Sequence, residues 1–195
     1  MAKIVVIGTG NVGSGIRQAA AAQHHEVVSL NTSSQLEDGR NAIASADFIF
    51  IAIPLAAVVD LPQEWKDETR GRIVVDATNP LTADFANLTV GFSDSAGEQV
   101  AAALPGAQVV KALNAVLAPN QDPIAFPTGS IFVPVAGEES AAKSVTDLLN
   151  GLGFDAQVVG DLSCSRYLEP LAELMIHLAY MEGQGTGIAL QLMRA

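Results

Sequence analysis

The sequence predicts an α/β fold, a doubly wound and mostly parallel sheet, and three observations carry that prediction. Short runs rich in Val, Ile and other apolar residues recur along the chain, as strands buried on both faces require. They alternate with segments of helical length and composition. The first run stops at a glycine loop that opens directly into such a segment.

Lys3–Ile7 (KIVVI) is the first strand, and Asn11–Gln23 the first helix, with Ala19 to Ala22 small enough for close packing on a sheet. Glu26–Leu30 follows as a strand and Gln35–Ser45 as a helix. Asp47–Ile53 (DFIFIAI) is almost wholly apolar, the mark of a central strand, and Pro54 stops it. Val58–Trp65 is read as a helix and Arg72–Ala77 (RIVVDA) as a buried strand. From Thr78 to Gly97 the Asn, Pro, Thr and Ser residues are loop chemistry, after which Glu98–Leu104 resumes a helix that Pro105-Gly106 ends. Gln108–Leu113 (QVVKAL) is a fifth strand. Asn114 to Gly129 is expected to be a long loop, with prolines at 119, 123 and 127 and another just beyond at 134; such loops are more often functional than idle. Ser130–Ala136, Glu138–Leu152 and Phe154–Val159 read as strand, helix and strand. Ser163–Glu182 reads as one amphipathic helix, Leu168, Leu171, Met175 and Leu178 forming its apolar stripe and Arg166, Glu169, Glu173 and His177 its polar one.

No repeat or low-complexity linker divides the chain. Residues 1–195 are expected to form a single domain, 1–116 the dinucleotide-binding core and 117–195 a part that completes a cleft, ending in a short helical extension. Of the 195 residues 49% are hydrophobic and 16% charged, enough apolar matter for a substantial core. The formal net charge of −11 repels phosphate backbones and argues against nucleic-acid binding. Cys164 is the single cysteine, so no intrachain disulfide can form. No apolar run approaches the roughly 20 residues that span a bilayer, and the first run is shorter than a signal peptide's apolar region. A cytoplasmic protein, away from membranes, is expected.

Gly8, Gly10 and Gly13 fit G-x-G-x-x-G between a strand and a helix, the dinucleotide-binding fingerprint of the Rossmann fold. Gly8, Thr9, Gly10, Asn11, Val12 and Gly13 are therefore candidate cofactor residues, offering backbone N–H groups and the positive end of a helix to a pyrophosphate. NAD sites usually place a carboxylate about 20 residues further on, against the ribose hydroxyls. Here the second strand runs into Asn31, Thr32, Ser33 and Ser34, with no carboxylate to repel a 2′-phosphate and several groups able to donate to it. NADP(H) is expected rather than NAD, although the nearest arginine, Arg40, lies further along the next helix.

The runs VVIGTGNVGSG, IAIP, VVDATNP, PGAQVVKALN and GFDAQVVGDLSCSRYLEPLAEL occur in an order that resembles the coenzyme F420-dependent NADP oxidoreductases, from Lys3 to about Leu178. The reductase domain of the STEAP metalloreductases is similar. The resemblance implies a doubly wound sheet, often dimeric, in which hydride passes between NADP and a deazaflavin held face to face in one cleft. Members of that family commonly carry Ser-Arg at the tip of the second strand, with the Arg on the 2′-phosphate; Asn31-Thr32-Ser33 stands there instead.

Hydride transfer between two bound ring systems needs neither a nucleophile nor a metal, which agrees with the lack of either constellation in the sequence. Ile53, Pro54, Asn79 and Pro80, at the carboxyl ends of strands, are expected to line the cofactor cleft, Asn79 against the nicotinamide amide or ribose. Lys111 and Asn114 are the candidates for a direct part in the reaction, Lys111 either countering an anionic substrate or forming a salt bridge with Asp76. His24, His25 and His177 read as surface residues, and Cys164 as structural. Arg166 is a candidate contact for a phosphate or carboxylate. The expected activity is hydride transfer between NADP(H) and coenzyme F420 or a flavin. The alternatives are a reductase of another small molecule or metal complex, or a non-catalytic NADP(H) sensor. A homodimer is expected through the last helix.

Overall fold

The computed structural model describes residues 1–123, 126 and 129–193. Residues 124, 125, 127 and 128, which include Pro127 of the long loop, and residues 194 and 195 lie outside the described residues. Among the described residues seven strands form one sheet: β1 (Lys3–Ile7), β2 (Glu26–Leu30), β3 (Phe48–Ile51), β4 (Ile73–Asp76), β5 (Gln108–Lys111), β6 (Phe132–Gly137) and β7 (Asp155–Gly160). Their order is β2-β1-β3-β4-β5-β6-β7. Every neighbouring pair is parallel except β5 and β6. The chain winds outward from β1 to β2, then returns past β1 to β3, so strand order reverses between β1 and β3 and leaves a crevice at their carboxyl ends.

The sheet is covered on both faces, and the period of two along each strand divides the core accordingly. Ile4, Val6, Phe50, Val75 and Val110 belong to one core, shared with Ile16, Ala19 and Ala20 of α1 (Asn11–Ala22) and Val145 and Leu149 of α6 (Glu139–Gly151). Val5, Ile7, Ile49, Val74 and Val109 face the other core. They meet Ile43 of α2 (Leu36–Ser45), Trp65 of α4 (Gln63–Glu68), and Val100 and Leu104 at the end of α5 (Ala96–Ala103). Each such side chain contributes about 1.5–3 kcal/mol when fully buried, which fixes the strand register.

Four sequence expectations are corrected. Val58–Trp65 is not one helix: α3 (Leu55–Val58) ends before Pro62, and α4 begins after it. Proline lacks an N–H and clashes with the preceding turn, so it starts a helix more readily than it continues one. The last segment is likewise divided into a 3-10 turn (Leu162–Cys164), α7 (Ser165–Ile176) and a π-helical turn (His177–Met181). Leu168 and Met175 are buried as expected, but Glu169, assigned to the polar stripe, is 1% exposed and lies on the inner face. α5 starts at Ala96 rather than Glu98 because the Ser95 hydroxyl accepts the Glu98 N–H at 3.2 Å and caps the helix. Among the described residues no helix is long and apolar enough to cross a membrane.

Candidate active site: a two-chambered cleft at the strand ends

The glycine loop sits at the end of β1, and each glycine answers a different steric demand. Gly8 has φ +121°, and a Cβ there would lie 2.2 Å from the Ala52 carbonyl oxygen. A Cβ on Gly13 would lie 2.1 Å from the Gly8 carbonyl oxygen, so close packing of α1 on the loop requires glycine. Gly10 meets nothing within 4 Å, and its open side is the approach a pyrophosphate needs. Gly10 caps α1 without a side chain, and no acidic residue occupies the first turn. The positive helix end thus remains available to an anion. The residues present fit a dinucleotide.

At the tip of β2, Asn31–Ser34 form an exposed polar turn. The Asn31 Oδ1 accepts from the Ser33 N–H at 2.8 Å and the Ser33 hydroxyl at 2.7 Å, and the Ser34 hydroxyl accepts from the Asn31 N–H at 3.0 Å. No side-chain bond caps α2. Arg40 is engaged elsewhere, with Glu68 at 2.9 Å and Glu37 at 3.8 Å.

Beyond the carboxyl ends of β3, β4 and β5 lie two cavities that meet. The first, about 840 Å³, is lined by Ile53, Pro54, Thr78 and Pro80 among others. The second, about 450 Å³, lies between the Leu113–Ala118 turn and Ala172, Ile176, Tyr180 and Met181 of the final helix and its π turn. Val12, Ala77, Asn79, Leu81 and Phe85 line both. Val12 is thus the one glycine-loop residue on the chamber walls, while Asn31–Ser34 line neither chamber. Leu117, Met175 and Ala179 pack together and seat the final helix against the turn. Leu113 sits at φ +63° although it is neither Gly nor Asn, a strained conformation of the kind that clusters at functional sites.

Two polar groups brace this junction. Asn79 and Asn114 interlock: the Asn79 Nδ2 donates to the Asn114 carbonyl oxygen at 2.9 Å, and the Asn114 Nδ2 donates to the Asn79 Oδ1 at 3.1 Å and to the Leu168 carbonyl oxygen at 2.9 Å. Behind them, Lys111 is fully buried between Asp76 at 2.9 Å and Glu169 at 2.8 Å, and donates to the Thr78 carbonyl oxygen at 2.6 Å. Glu169 also accepts the N–H groups of Ala96 and Gly97 at the start of α5. Lys111 therefore does not face the cleft, and its candidacy as a counter-charge for substrate is withdrawn; of the two readings, the salt bridge with Asp76 holds. Asn114 remains a lining residue. Arg166 is held by the Glu98 carboxylate, at 2.5 and 2.9 Å, which in turn keeps that carboxyl below its usual range. His177 is exposed and pairs with Glu182. Among the described residues no group of three or more His, Cys, Asp or Glu side chains could hold a metal ion.

Sequence reasoning missed the second chamber's apolar walls and Gln121, which is 1% exposed and lines it. The prolines of the expected long loop were the available signal, since they marked a long segment after β5 without saying what it faced.

The architecture and the glycine loop have known counterparts. Residues 3–80 match the family "NADP oxidoreductase coenzyme F420-dependent". The F420-dependent NADP reductase of Methanothermobacter thermautotrophicus is 27% identical over 90% of this chain and 88% of its own. That of Methanocaldococcus jannaschii is 24% identical over 95% and 96%. A crystal structure from Arthrobacter sp. FB24, assigned provisionally as an F420-dependent NADP reductase, superposes with a TM-score of 0.85 at 29% identity, covering all of both chains. The resemblance read from the sequence is borne out: residues 3–80 match the model of the coenzyme F420-dependent NADP oxidoreductase family, and the two curated relatives, similar over nearly the whole chain, are F420-dependent NADP reductases.

Proposed function

We propose that the chain moves hydride between NADP(H) and a deazaflavin of the coenzyme F420 type, a flavin being the related acceptor. The observation that carries this reading is the pair of chambers meeting at Val12, Ala77, Asn79, Leu81 and Phe85. Two flat rings entering from opposite sides would come together at that wall. When bound, NADPH supplies the hydride and the second ring takes it. The glycine loop would hold the pyrophosphate through backbone N–H groups, Ile53 and Pro54 would border the nicotinamide end, and Asn79 would orient the rings at the junction. The largely apolar walls would exclude water, leaving positioning as the protein's main contribution.

Preference for NADP over NAD rests on the Asn31–Ser34 turn, which has no carboxylate to repel a 2′-phosphate. The whole chain is taken as one unit, with the part after residue 116 completing the cleft. A homodimer is supported by the side of the final helix away from the chamber, where Tyr167 and Leu174 are exposed. These are not the Leu and Met positions of the sequence stripe, of which Leu168 and Met175 are buried within the chain.

Mixing the protein with F420 and NADPH is expected to bleach the deazaflavin's visible absorbance at a rate proportional to protein. No bleaching at any pH would overturn the reading. One observation favours a second reading, an NADP(H)-dependent reductase of another small molecule: among the described residues no Lys, Arg or His lines either chamber, so an anionic cofactor tail would run outside them. A screen of acceptors at fixed NADPH separates the two, and tight NADPH binding with no turnover on any acceptor would point to a sensor.

A further inference from the structure

Three charged side chains lie buried behind the chambers, and none of them lines either one: Asp76 and Lys111 are 0% exposed and Glu169 1%. What they hold is the wall. The Thr78 N–H donates to the Asp76 Oδ1 at 2.8 Å, and the Thr78 carbonyl oxygen accepts from the Lys111 Nζ at 2.6 Å. Both peptide groups of Thr78 are thus gripped from behind, one leading from Ala77 and the other into Asn79. Ala77 and Asn79 belong to the wall that the two chambers share. The same Nζ reaches Glu169 at 2.8 Å, one turn before Ala172 on α7, and Ala172 and Ile176 line the second chamber. One ammonium group therefore ties the shared wall to the helix that bounds the second chamber. A parallel tie runs through Asn114, whose Nδ2 donates to the Asn79 Oδ1 and to the carbonyl of Leu168, the neighbour of Glu169. Two carboxylates meet a single lysine here, and the Ala96 and Gly97 N–H groups at the positive end of α5 offset the second, at 2.9 and 3.0 Å from Glu169. Apolar side chains of similar volume often serve stability as well as a buried ion cluster does, so stability alone does not account for this one.

We infer that Lys111, with Asp76 and Glu169, is a positioning residue: by joining the shared wall to α7 it fixes the spacing across which hydride moves, acting through Thr78 and Asn79 without touching either ring. The inference rests on the reading that the two rings meet at that wall. It adds which buried groups hold the wall in register, and why a charge cluster stands where apolar packing would serve the fold.

Lys111→Met alone mixes lost stability with lost position, so the test uses the neutral triple variant Asp76→Asn, Lys111→Met, Glu169→Gln, which leaves no charge of the cluster buried without a partner. It is expected to melt closer to wild type than Lys111→Met does. The glycine loop is untouched, so NADPH binding by nicotinamide fluorescence is expected to stay within about threefold. Single-turnover hydride transfer from NADPH to F420 is expected to fall by about thirtyfold or more, because misplaced reacting atoms lose rate without losing affinity. A second readout needs no acceptor. In the ligand-free protein the side-chain amide protons of Asn79 and Asn114 are expected to exchange at least about tenfold faster than in wild type, while the backbone amides of β1 and β3 exchange as before. Should the triple variant fail to fold, Glu169→Gln takes its place: it keeps the Lys111–Asp76 pair and removes the charge that links Lys111 to α7, and both effects are expected in the same direction. Hydride transfer within threefold of wild type, a loss of NADPH affinity that matches the loss of rate, or unchanged amide protection overturns the inference and leaves the deazaflavin reading standing. A wild-type protein that never reduces F420 sinks the deazaflavin reading instead, and the amide exchange then decides the clamp by itself.

Discussion

Replacing Gly10 and Gly13 separately by alanine divides cofactor binding from folding. At Gly10 the backbone (φ −70°, ψ −172°) suits alanine, and the added Cβ meets nothing within 4 Å. Alanine is a poorer helix cap than glycine but loses less backbone entropy, so the two effects offset within about 1 kcal/mol. For a chain of this size that is a change in Tm of at most about 4 °C. The methyl nevertheless stands where the pyrophosphate would approach. Losing one charge-assisted N–H bond, about 1.5–3 kcal/mol, weakens NADPH binding by roughly 10- to 150-fold. At Gly13 the balance reverses. The Cβ would lie 2.1 Å from the Gly8 oxygen and 2.9 Å from its carbonyl carbon, so backbone must move. Overpacking of this kind costs about 1–3 kcal/mol, which lowers Tm by roughly 2–12 °C. Thermal unfolding and nicotinamide fluorescence titration read the two effects independently. A Gly10→Ala protein that binds NADPH within threefold of wild type, or a Gly13→Ala protein that melts with wild type, would refute the reasoning.

Further outcomes follow from the same geometry. Lys111→Met leaves Asp76 and Glu169 buried without their cation, and is expected to cost about 3–5 kcal/mol, lowering Tm by roughly 6–20 °C in thermal unfolding. Glu98 is held below its ordinary 4.5, first by its hydrogen bond from Arg166, so its contribution is present above that value and is lost as pH falls through the lowered one; urea titrations across the acid range are expected to show a shallower pH dependence for Glu98→Gln. Glu173 is shifted the other way, raised by burial, so its charge works against the fold as pH rises; Glu173→Gln is expected to raise Tm at pH 7 and leave it unchanged well below pH 4.5. Ser33→Asp places a carboxylate at the tip of β2 and is expected to shift preference toward NADH at least tenfold, about 1.4 kcal/mol, in paired NADPH and NADH titrations. Leu174→Glu on the exposed side of α7 is expected to convert a dimer to a monomer in light scattering.

The parts of the fold legible in the sequence are those where one local rule acts alone. β1, β3, β4 and β5 are short runs, mostly β-branched and apolar and buried on both faces, the composition and length of strands inside a parallel sheet. The glycine loop was legible for a similar reason: two close backbone approaches, at Gly8 and Gly13, and the open face at Gly10 fall at the spacing of the fingerprint. Glu169 was not legible. Periodicity along α7 put it with Glu173 on the outer stripe, but its partners are the start of α5, 73 residues earlier in the chain at Ala96, and Lys111 of β5. A buried ion pair obeys no helical period, because what decides it is a charge brought in from elsewhere in the fold. Pro62 marks the break between α3 and α4, and the reading of Val58–Trp65 as one helix passed over it. The second chamber was illegible for the most physical of reasons: its walls come from the turn after β5 and from the final helix, and the cavity exists only where those two fail to fill the space between them.

The most direct test follows the hydride itself. NADPH deuterated at the transferable position of the nicotinamide ring is incubated with the protein and oxidised F420, and the reduced deazaflavin is examined by mass spectrometry. Direct transfer between two rings at one wall predicts that the deuterium arrives on the deazaflavin carbon, with none lost to water. Deuterium released to solvent, or NADPH that retains its label while F420 stays oxidised, would contradict it.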